Sequence, residues 1–556
     1  MFQTHSSRIS FALIILLYLI VYSPSFQTPY LLDESHAIIS NQFVHSLRYF
    51  AFPWESAKAA SSNPENYGYR PVTFNFFQLM WHLGDGKPLP FQIGKKIILI
   101  LVSAMTFLFW KEWSKIAGPL ESSRPSKKNQ LPEKESLWWG SSFFAFAFFL
   151  LHPVSVQVAN YIGASTTLLT ALFYMTSFYL YLRFRQSEKI WQLALGAICY
   201  FLAVMSKEEG ITLIALVFVA EVFFLSGKKT FLVSKKAIVP LLVYSITAIF
   251  SAYLIYAHFE PTSGIARGSV IRSLYFATQW RAYFYYVHFY FWPVGFNFDN
   301  LDFGFATELW TPLNILCLCL HLSILAFAIR LCRLKNSIGF AILGFYISIL
   351  PASSIVPLSE PVSDHRDYIP FLFFGFGMIQ VMEQASDRWI KNQIKEKWII
   401  ACLLVALAGG TLYRNFDFMS SKAVWIDTVL KNPGSPRAKN NLALEYMSKG
   451  QYAVADALLT KCAEVAPTYS VCLINLGIVS DATGNLAKAE EFYKKSMQYD
   501  LSKIDSRLFY VQFLLRQGRA REAKELLEEA NAFSNGLNKP ILDSLQKADE
   551  MLAKSK

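Results

Sequence analysis

Small residues recur at a fixed step near the C-terminal end of this 556-residue chain. Glycines and alanines each repeat every 34 residues, at Gly450, Gly484 and Gly518 and at Ala455, Ala489 and Ala523. A period of 34 residues predicts a helix-turn-helix unit whose small side chains let the two helices approach closely. One such unit cannot bury its apolar face alone, so the period predicts a stack of units, an α-solenoid.

The other positions of each unit follow the tetratricopeptide repeat (TPR) pattern. Repeats are predicted at residues 436–469, 470–503 and 504–537, followed by a capping helix at 539–553. The packing positions of the first repeat hold Leu442, Ala443, Tyr446, Leu459 and Pro467. An ordinary bundle of helical hairpins is the alternative, but three units in register disfavour it. We predict a concave groove that binds peptide or protein, and the repeats contain no pattern typical of catalysis.

The chain before the repeats is strongly apolar. Of all residues, 53% are hydrophobic and 17% are charged, whereas soluble domains usually contain roughly 25% charged residues. Apolar runs of about 20 residues, long enough to cross a bilayer, lie between residues 9 and 413. The sequence therefore predicts an all-α protein with a polytopic membrane domain of helical-bundle type at 1–415, a linker at 416–435 and a TPR domain at 436–556.

Eleven apolar runs are predicted to span the membrane, at 9–25, 94–112, 138–152, 164–184, 190–205, 210–226, 237–257, 311–332, 338–357, 367–385 and 398–413. A twelfth run at 273–294 contains Gln279, Arg281 and His288 among many aromatic residues. The net charge of +12 comes largely from short loops, which is typical of cytoplasmic loops and not of nucleic-acid binding. If 273–294 lies along the interface, the later basic loops also fall inside. We therefore predict eleven crossings, a cytoplasmic N-terminus and an outside TPR domain.

Two of the seven cysteines, Cys462 and Cys472, lie in the repeats. Their spacing matches no metal site. In an oxidising compartment they can bridge two adjacent helices. Two free buried thiols are the alternative, and the sequence leaves both open.

Two adjacent acids, Asp33 and Glu34, follow the first predicted span. Carboxylates at a membrane boundary are costly unless they are solvated or used. In a cleft, one of them can accept a proton from a weak nucleophile. We predict a catalytic role for the pair, and a solvated start of a loop is the alternative.

Other polar side chains are predicted on the same outer face of the membrane, and they are Arg70, His152, Lys207, Glu208, His365, Arg366 and Tyr368. Each alone is weak evidence, since such residues commonly end helices or lie in loops. Arginine and lysine together can hold a phosphate, so this set is predicted to bind substrate. Asp299 and Asp302 can bind a hard cation, but a solvated loop is the preferred interpretation. No metal site and no certain cofactor is predicted, and a divalent cation has no support.

Taken in their order along the chain, these elements resemble the transmembrane and TPR-containing O-mannosyltransferase family of the GT-C glycosyltransferases. The resemblance covers nearly the whole chain. It implies a polyprenyl or dolichyl phosphate monosaccharide as donor and Ser or Thr hydroxyls on the outer face as acceptors. It also implies that Asp33 is the catalytic base and that Arg366 has a phosphate role. The family often has two aspartates where this chain has Asp-Glu, and Glu-Arg where this chain has His365-Arg366.

The predicted reaction is an inverting transfer of the sugar, with the acceptor protein docked in the TPR groove. The predicted partners are the lipid-linked sugar donor, the acceptor protein or peptide and membrane lipids, without nucleic acid. The predicted location is a bacterial inner membrane with the repeats in the periplasm, and an ER membrane with lumenal repeats is the alternative. Other functions considered are transfer to an envelope glycolipid or polysaccharide, a non-catalytic membrane-anchored TPR scaffold and a transporter.

Overall fold

The computed structural model describes residues 5–51, 69–117, 141–226, 234–258, 271–354, 357–358, 360–389, 393–500, 504–533 and 539–554. Within these ranges all regular secondary structure is helical, which confirms the predicted all-α class. The chain divides into two units. The first comprises Met1–Phe298 and Phe303–Ser421, and the second comprises Asp299–Asp302 and Lys422–Lys556.

The first unit contains fifteen α-helices within the described ranges. They are α1 (His5–Tyr22), α2 (Arg48–Ala51), α3 (Pro71–Gly84), α4 (Leu89–Ala117), α5 (Ser141–Leu151), α6 (Ser155–Asn160), α7 (Ser165–Ser187), α8 (Ile190–Ser206), α9 (Leu213–Ala220), α10 (Lys235–Ala257), α11 (Arg272–Phe291), α12 (Pro312–Arg333), α13 (Ser337–Ile349), α14 (Tyr368–Trp389) and α15 (Gln393–Asp417). Short 3₁₀ and π turns join several of them, including Ser35–Ile39 and Glu208–Thr212.

Five helices in the described residues are long and apolar enough to cross a membrane. They cover Ile9–Gln27, Leu89–Ile116, Lys235–Ala257, Pro312–Arg333 and Lys397–Asp417. These helices support a multi-pass membrane protein. The other six predicted spans coincide with helices that are shorter or less apolar, and residues 138–140 of one and 355–356 of another lie outside the described ranges. The number of crossings, and whether α11 lies along the interface, stay predictions.

Aromatic side chains hold the core of the first unit together. Trp113 of α4 is fully buried, stacks on Phe340 of α13 at 4.0 Å between ring centroids, and donates its indole N–H to Ser337 at 2.9 Å. Trp110, one turn earlier, meets Phe376 of α14 edge-on at 3.8 Å. Large buried rings contribute much apolar area with few rotatable bonds. These ring contacts pack α4 tightly against α13 and α14, and the polar loops begin at the ends of these helices.

The second unit is a stack of helices, as the 34-residue period predicts. Its helices are α16 (Ser421–Lys431), α17 (Pro436–Met447), α18 (Tyr452–Val465), α19 (Ser470–Ala482), α20 (Leu486–Tyr499), α21 (Asp505–Arg516), α22 (Ala520–Phe533) and α23 (Lys539–Lys554). Helices α17 to α22 form three hairpins, and α23 occupies the position of the predicted capping helix. Residues 501–503 and 534–538, where two of the predicted repeats end, lie outside the described ranges. The predicted linker contains α16, whose Trp425 is buried.

Glycines have two distinct roles in the repeats. The turn glycines Gly450, Gly484 and Gly518 adopt left-handed conformations, with φ of 69°, 82° and 75°, which glycine reaches without steric cost. Gly477 lies inside α19, where a Cβ atom would come within 2.7 Å of the buried ring of Tyr493 on α20. Gly477 does not recur, since Ala443 and Val511 hold the equivalent positions. The sequence period therefore reports the turn geometry through its glycines and the buried packing of the hairpins through Ala455, Ala489 and Ala523.

A disulfide joins Cys462 of α18 to Cys472 of α19, with 6.2 Å between the Cα atoms. Of the two alternatives that the sequence leaves open, the structure has the bridge. Both side chains are fully buried. The bond links the second helix of the first repeat to the first helix of the next.

Reduction of this bridge is expected to destabilise the repeats. Closing a loop of about ten residues stabilises a fold by roughly 2–4 kcal/mol, so Cys462→Ser should lower the urea midpoint for proteolysis of the repeats in the full chain. Cys319→Ser, at an exposed free cysteine of α12, is the control.

Cleavage after Glu464, between the two cysteines, should leave the fragments linked until a reductant is added. Fragments that separate without reductant would contradict the bridge.

Candidate functional site

The first loop of the membrane unit turns sharply just before the two acids. Leu32 has a φ of 49°, a left-handed conformation that residues with bulky side chains rarely adopt. After this turn Asp33 is exposed, whereas Glu34 is only 1% exposed. The two carboxylates therefore lie in different environments although they are neighbours in sequence. Strained backbone of this kind is concentrated at functional sites.

Both carboxylate oxygens of Glu34 accept hydrogen bonds from the backbone. Oε2 accepts from the N–H of Leu31 at 2.6 Å, and Oε1 accepts from the N–H of Gly163 at 2.9 Å. Burial acts to raise the pKa of Glu34, and these N–H groups and the Lys95 charge oppose it by favouring the carboxylate. Glu34 thus fastens the first loop to the turn between α6 and α7.

Two buried lysines in α4 lie beside this turn, and the sequence interpretation did not identify them. Lys95 is fully buried, and its Nζ donates to the carbonyl oxygen of Tyr161. Lys96 is also buried and donates to Asn160 Oδ1 at 3.0 Å and Gln92 Oε1 at 3.1 Å. Ionisable residues inside an apolar span are costly and commonly functional. The sequence signal for this part of the site is the presence of two adjacent lysines inside the predicted apolar span 94–112.

Arg70 and Glu208 come together from distant parts of the chain. The Arg70 guanidinium donates from Nε to Glu208 Oε2 at 3.0 Å and from a terminal nitrogen to Oε1 at 2.7 Å. This is the two-pronged geometry typical of strong arginine–carboxylate pairs. The Glu208 side chain is half exposed. Partial desolvation acts to raise its pKa, but the Arg70 charge and hydrogen bonds outweigh it and lower that pKa to about 2.

The other two cations predicted to bind phosphate are also paired with glutamates. The ammonium of Lys207 lies 2.8 Å from Glu209 and 3.3 Å from the hydroxyl of Thr167. Arg366 donates to the side chain of Glu360 at 3.1 Å, and to the backbone carbonyl of the same residue at 2.9 Å. Each positive charge of this set is therefore compensated by a carboxylate within the protein.

His365 lies where these charges converge. Burial lowers the pKa of its imidazole well below the usual value, and the charges of Lys207, Arg366, Lys95 and Arg70 lower it further. Its Nδ1 is 2.8 Å from the hydroxyl of Ser363, and its ring centroid is 6.0 Å from that of Tyr161. The imidazole is therefore neutral near pH 7. Four cations from separate elements act on one side chain, so the structure brings Arg70, Lys207, His365 and Arg366 together.

The loop that carries His365 and Arg366 is fixed by Asp364, which the sequence interpretation did not single out. Its carboxylate accepts from the hydroxyl of Tyr285 on α11 at 2.9 Å and from the N–H of Asn297 at 2.8 Å. In addition, the hydroxyl of Tyr286 accepts from the N–H of Ser363 at 3.2 Å. The aromatic helix α11 therefore holds this loop in place.

Two predicted substrate-binding residues are buried in the core beside the site. His152 is enclosed by Phe148 and Phe371, whose ring centroids lie 5.1 and 4.6 Å away. Its Nδ1 accepts from the N–H of Val154 at 3.2 Å, so its other nitrogen, 3.3 Å from the Tyr290 carbonyl, is the donor. Tyr368 begins α14 and is also fully buried. Their contact with substrate stays a prediction.

Asp299 and Asp302 belong to the second unit, where they contact the start of the first repeat. Asp299 Oδ2 accepts from Nε of Arg437 at 2.7 Å, and Asp302 accepts from the N–H of Gly434 at 2.9 Å. These contacts give the two acids a structural role. No group of three or more His, Cys, Asp or Glu side chains arranged to hold a metal ion is found in the described ranges.

Comparison with known proteins gives a repeat-family match and several sequence relatives. A tetratricopeptide repeat family matches residues 436–469. The chain is 27% identical over 213 residues to human protein O-mannosyl-transferase TMTC4, covering 36% of this chain and 27% of that protein. It is 20% identical over 526 residues to human protein O-mannosyl-transferase TMTC3, covering 84% of this chain and 52% of that protein. The chain thus spans about half or less of the length of these relatives.

A crystal structure of yeast Tom70 aligns with 74% of this chain and 92% of its own at 11% identity, with a TM-score of 0.23. A similarity this low carries no argument about the fold. The repeat match agrees with the helical hairpins of the second unit. The sequence relatives and the repeat match support a TPR-containing, O-mannosyltransferase-like family for this chain.

Proposed function

We propose that this protein is a membrane glycosyltransferase that moves a monosaccharide from a polyprenyl or dolichyl phosphate to Ser or Thr hydroxyls of proteins. The observation that carries the proposal is the convergence of Arg70, Lys207 and Arg366 on His365, whose ring lies 6.0 Å from that of Tyr161 in the turn that Glu34 fastens. The names of the relatives, protein O-mannosyl-transferases, agree with it. First-loop acids that are joined to this set of cations through Glu34 suit transfer away from a lipid phosphate.

Asp33 is the proposed general base. The acceptor hydroxyl loses its proton to the exposed Asp33 carboxylate as its oxygen forms a bond to the anomeric carbon. The bond between that carbon and the phosphate oxygen breaks, and its electron pair leaves with the lipid phosphate. Attack opposite the leaving group inverts the configuration at the anomeric carbon, and no covalent enzyme intermediate is needed.

The cations stabilise the phosphate as negative charge develops on the departing oxygen. Arginine supplies planar paired donors, and lysine supplies a compact point charge. Because Arg366, Arg70 and Lys207 are paired with glutamates, a bound phosphate must take the place of a carboxylate on at least one of them. Donors aimed at developing charge in a water-poor site are among the largest contributions to catalysis.

The outer side of the membrane is the proposed site of the reaction. Disulfides persist in oxidising compartments, and the bridge between Cys462 and Cys472 agrees with repeats that face the periplasm or the ER lumen. Residues 299–302, from the loop after α11, are part of the same unit as the repeats. This loop and the TPR groove are therefore proposed to share one side of the membrane, where the groove binds the acceptor protein.

The test is transfer by the purified full chain in lipid nanodiscs. The probe is radiolabelled polyprenyl phosphate mannose with a library of Ser- and Thr-containing peptides, and other polyprenyl phosphate sugars are tried in parallel. We expect labelled peptide that releases its sugar on β-elimination, with the anomeric configuration opposite to that of the donor. Label found only in extracted lipid would favour the glycolipid alternative, and no transfer with any of the sugars would contradict the proposal.

A further inference from the structure

Lys95 is a buried cation that the proposed mechanism leaves unused. It lies on α4, within one of the five candidate spans, and is fully buried. A charged group at such a position is expensive to keep unless it is paired and hydrogen-bonded. Its location beside the first-loop acids therefore calls for a physical explanation.

Lys95 and Glu34 hold the same short turn from two sides. The ammonium of Lys95 donates to the carbonyl of Tyr161, and the carboxylate of Glu34 accepts from the N–H of Gly163. The other oxygen of Glu34 accepts from the N–H of Leu31, and the Lys95 charge acts on Glu34 directly. The pair thus joins α4, the 161–163 turn and the first loop into one arrangement.

In this arrangement the chain is fixed on both sides of Asp33. Leu31 is held by its N–H, Glu34 is held by both carboxylate oxygens, and only Leu32 and Asp33 lie between them. Leu32 is in a left-handed conformation, which persists only where the surroundings impose it. Releasing the Glu34 carboxylate would let Leu32 relax and would redirect the Asp33 side chain.

We infer that Lys95, acting through Glu34, is a positioning residue that sets the direction of the catalytic Asp33 carboxylate. The inference rests on the proposed function, since it needs Asp33 to be the base. Glu34 is itself a poor base in this geometry, because it is buried and both oxygens already accept N–H groups. The two neighbouring acids then have different roles: Asp33 accepts the proton of the acceptor hydroxyl, and Glu34 fixes the loop that carries Asp33.

The neighbouring lysine provides a matched control. Lys96 is on the same helix and equally buried, but its Nζ contacts Gln92, Asn160 and the carbonyl oxygens of Ser25 and Ala159. Lys95→Met and Lys96→Met therefore remove the same charge and the same number of atoms. Only the first removes the cation that holds the Tyr161 carbonyl and acts on Glu34.

The experiment measures kcat and both KM values of the full chain in nanodiscs, with polyprenyl phosphate mannose and the best peptide of the library. Misplacing a reacting group by about 1 Å can cost about 10²-fold in rate. We expect Lys95→Met to lower kcat by about this factor with both KM values unchanged, and Lys96→Met to keep the wild-type kcat. Glu34→Gln, which leaves one of the two N–H groups without its acceptor, should show the same loss confined to kcat.

Hydrogen exchange gives a readout that is independent of activity. In Lys95→Met, exchange should accelerate at residues 31–37 and 161–163 and stay unchanged in the repeats, whereas Lys96→Met should not affect residues 31–37. A wild-type kcat in Lys95→Met, or equal losses in the two lysine variants, would overturn the inference. Asp33→Asn is measured alongside, because full activity in that variant refutes the proposed base itself. An inactive Asp33→Asn with a normal Lys95→Met refutes only the positioning role.

Discussion

Replacing Asp33 with asparagine is expected to lower the rate of sugar transfer by about 10²–10⁴-fold, the usual contribution of a positioned general base. Asparagine has the same shape as aspartate but does not accept the proton of an attacking hydroxyl. The loss should appear in kcat, with little change in the KM for the donor. Transfer of radiolabelled sugar from polyprenyl phosphate to peptide by the purified chain is the measurement.

The folded structure should tolerate this substitution. The Asp33 side chain is exposed, and the backbone carbonyl of Asp33, which accepts from the N–H groups of His36 and Ala37, is unaltered. Exposed substitutions of this kind usually change the free energy of unfolding by about 0.5 kcal/mol or less. An unchanged thermal midpoint beside a lost rate would separate a chemical effect from unfolding.

Asp85→Asn is the matched control for Asp33→Asn. Asp85 is another exposed aspartate of the same loop, and it ends α3 in a left-handed conformation with φ of 48°, which asparagine also adopts readily. It removes one negative charge from the same region and should leave transfer unchanged. Wild-type activity in Asp33→Asn, or an equal loss in both variants, would rule out Asp33 as the base.

The repeats were predictable because their constraints are local. A turn between two helices requires a left-handed residue, and glycine provides it at Gly450, Gly484 and Gly518 at the same step. A buried tyrosine ring requires a glycine opposite it, as Gly477 is for Tyr493. The turn glycine repeats with the unit, and so does a fully buried alanine at Ala455, Ala489 and Ala523, so the sequence alone reveals the period, the hairpins and the solenoid.

The candidate site was predictable only in part. Alternating spans place the polar loops on one predicted face, which anticipated that Arg70, Lys207, His365 and Arg366 converge. The sequence did not show which of the two acids is buried. That depends on the left-handed turn at Leu32 and on an N–H group of Gly163, contributed by a segment far along the chain.

The partners of the cations were also hidden from sequence patterns. Arg70 finds Glu208 across the long interval between the first loop and the end of α8, and no spacing rule connects them. Lys95 and Lys96 were counted as part of the predicted apolar span 94–112, because the long hydrophobic run after them outweighs two charges at its start. Long-range pairing between loops is a property of the tertiary fold, so it has no local period to detect.

Replacing Arg366 with alanine is the second substitution expected to have a large effect. Removing one donor that faces the developing charge of a transition state typically lowers kcat by about 10²–10³-fold. The KM for the donor should rise as well, since the same guanidinium would contact the phosphate before the reaction. Arg366→Lys should keep part of the activity, because lysine retains the charge but lacks the paired donors.

Glu360→Gln tests whether Arg366 exchanges one anion for another. The Glu360 carboxylate is 3.1 Å from the Arg366 guanidinium, and the backbone carbonyl of Glu360 holds the same side chain at 2.9 Å. Glutamine keeps the backbone contact but removes the competing charge, so the KM for the donor should fall in this variant, opposite to its rise in Arg366→Ala. Arg516→Ala, at an ion pair with Asp481 in the repeats, is the control and should leave the donor KM unchanged. A donor KM that does not respond to either change at Arg366 or Glu360 would mean that the phosphate binds elsewhere, because a guanidinium that exchanges partners must be sensitive to both of them.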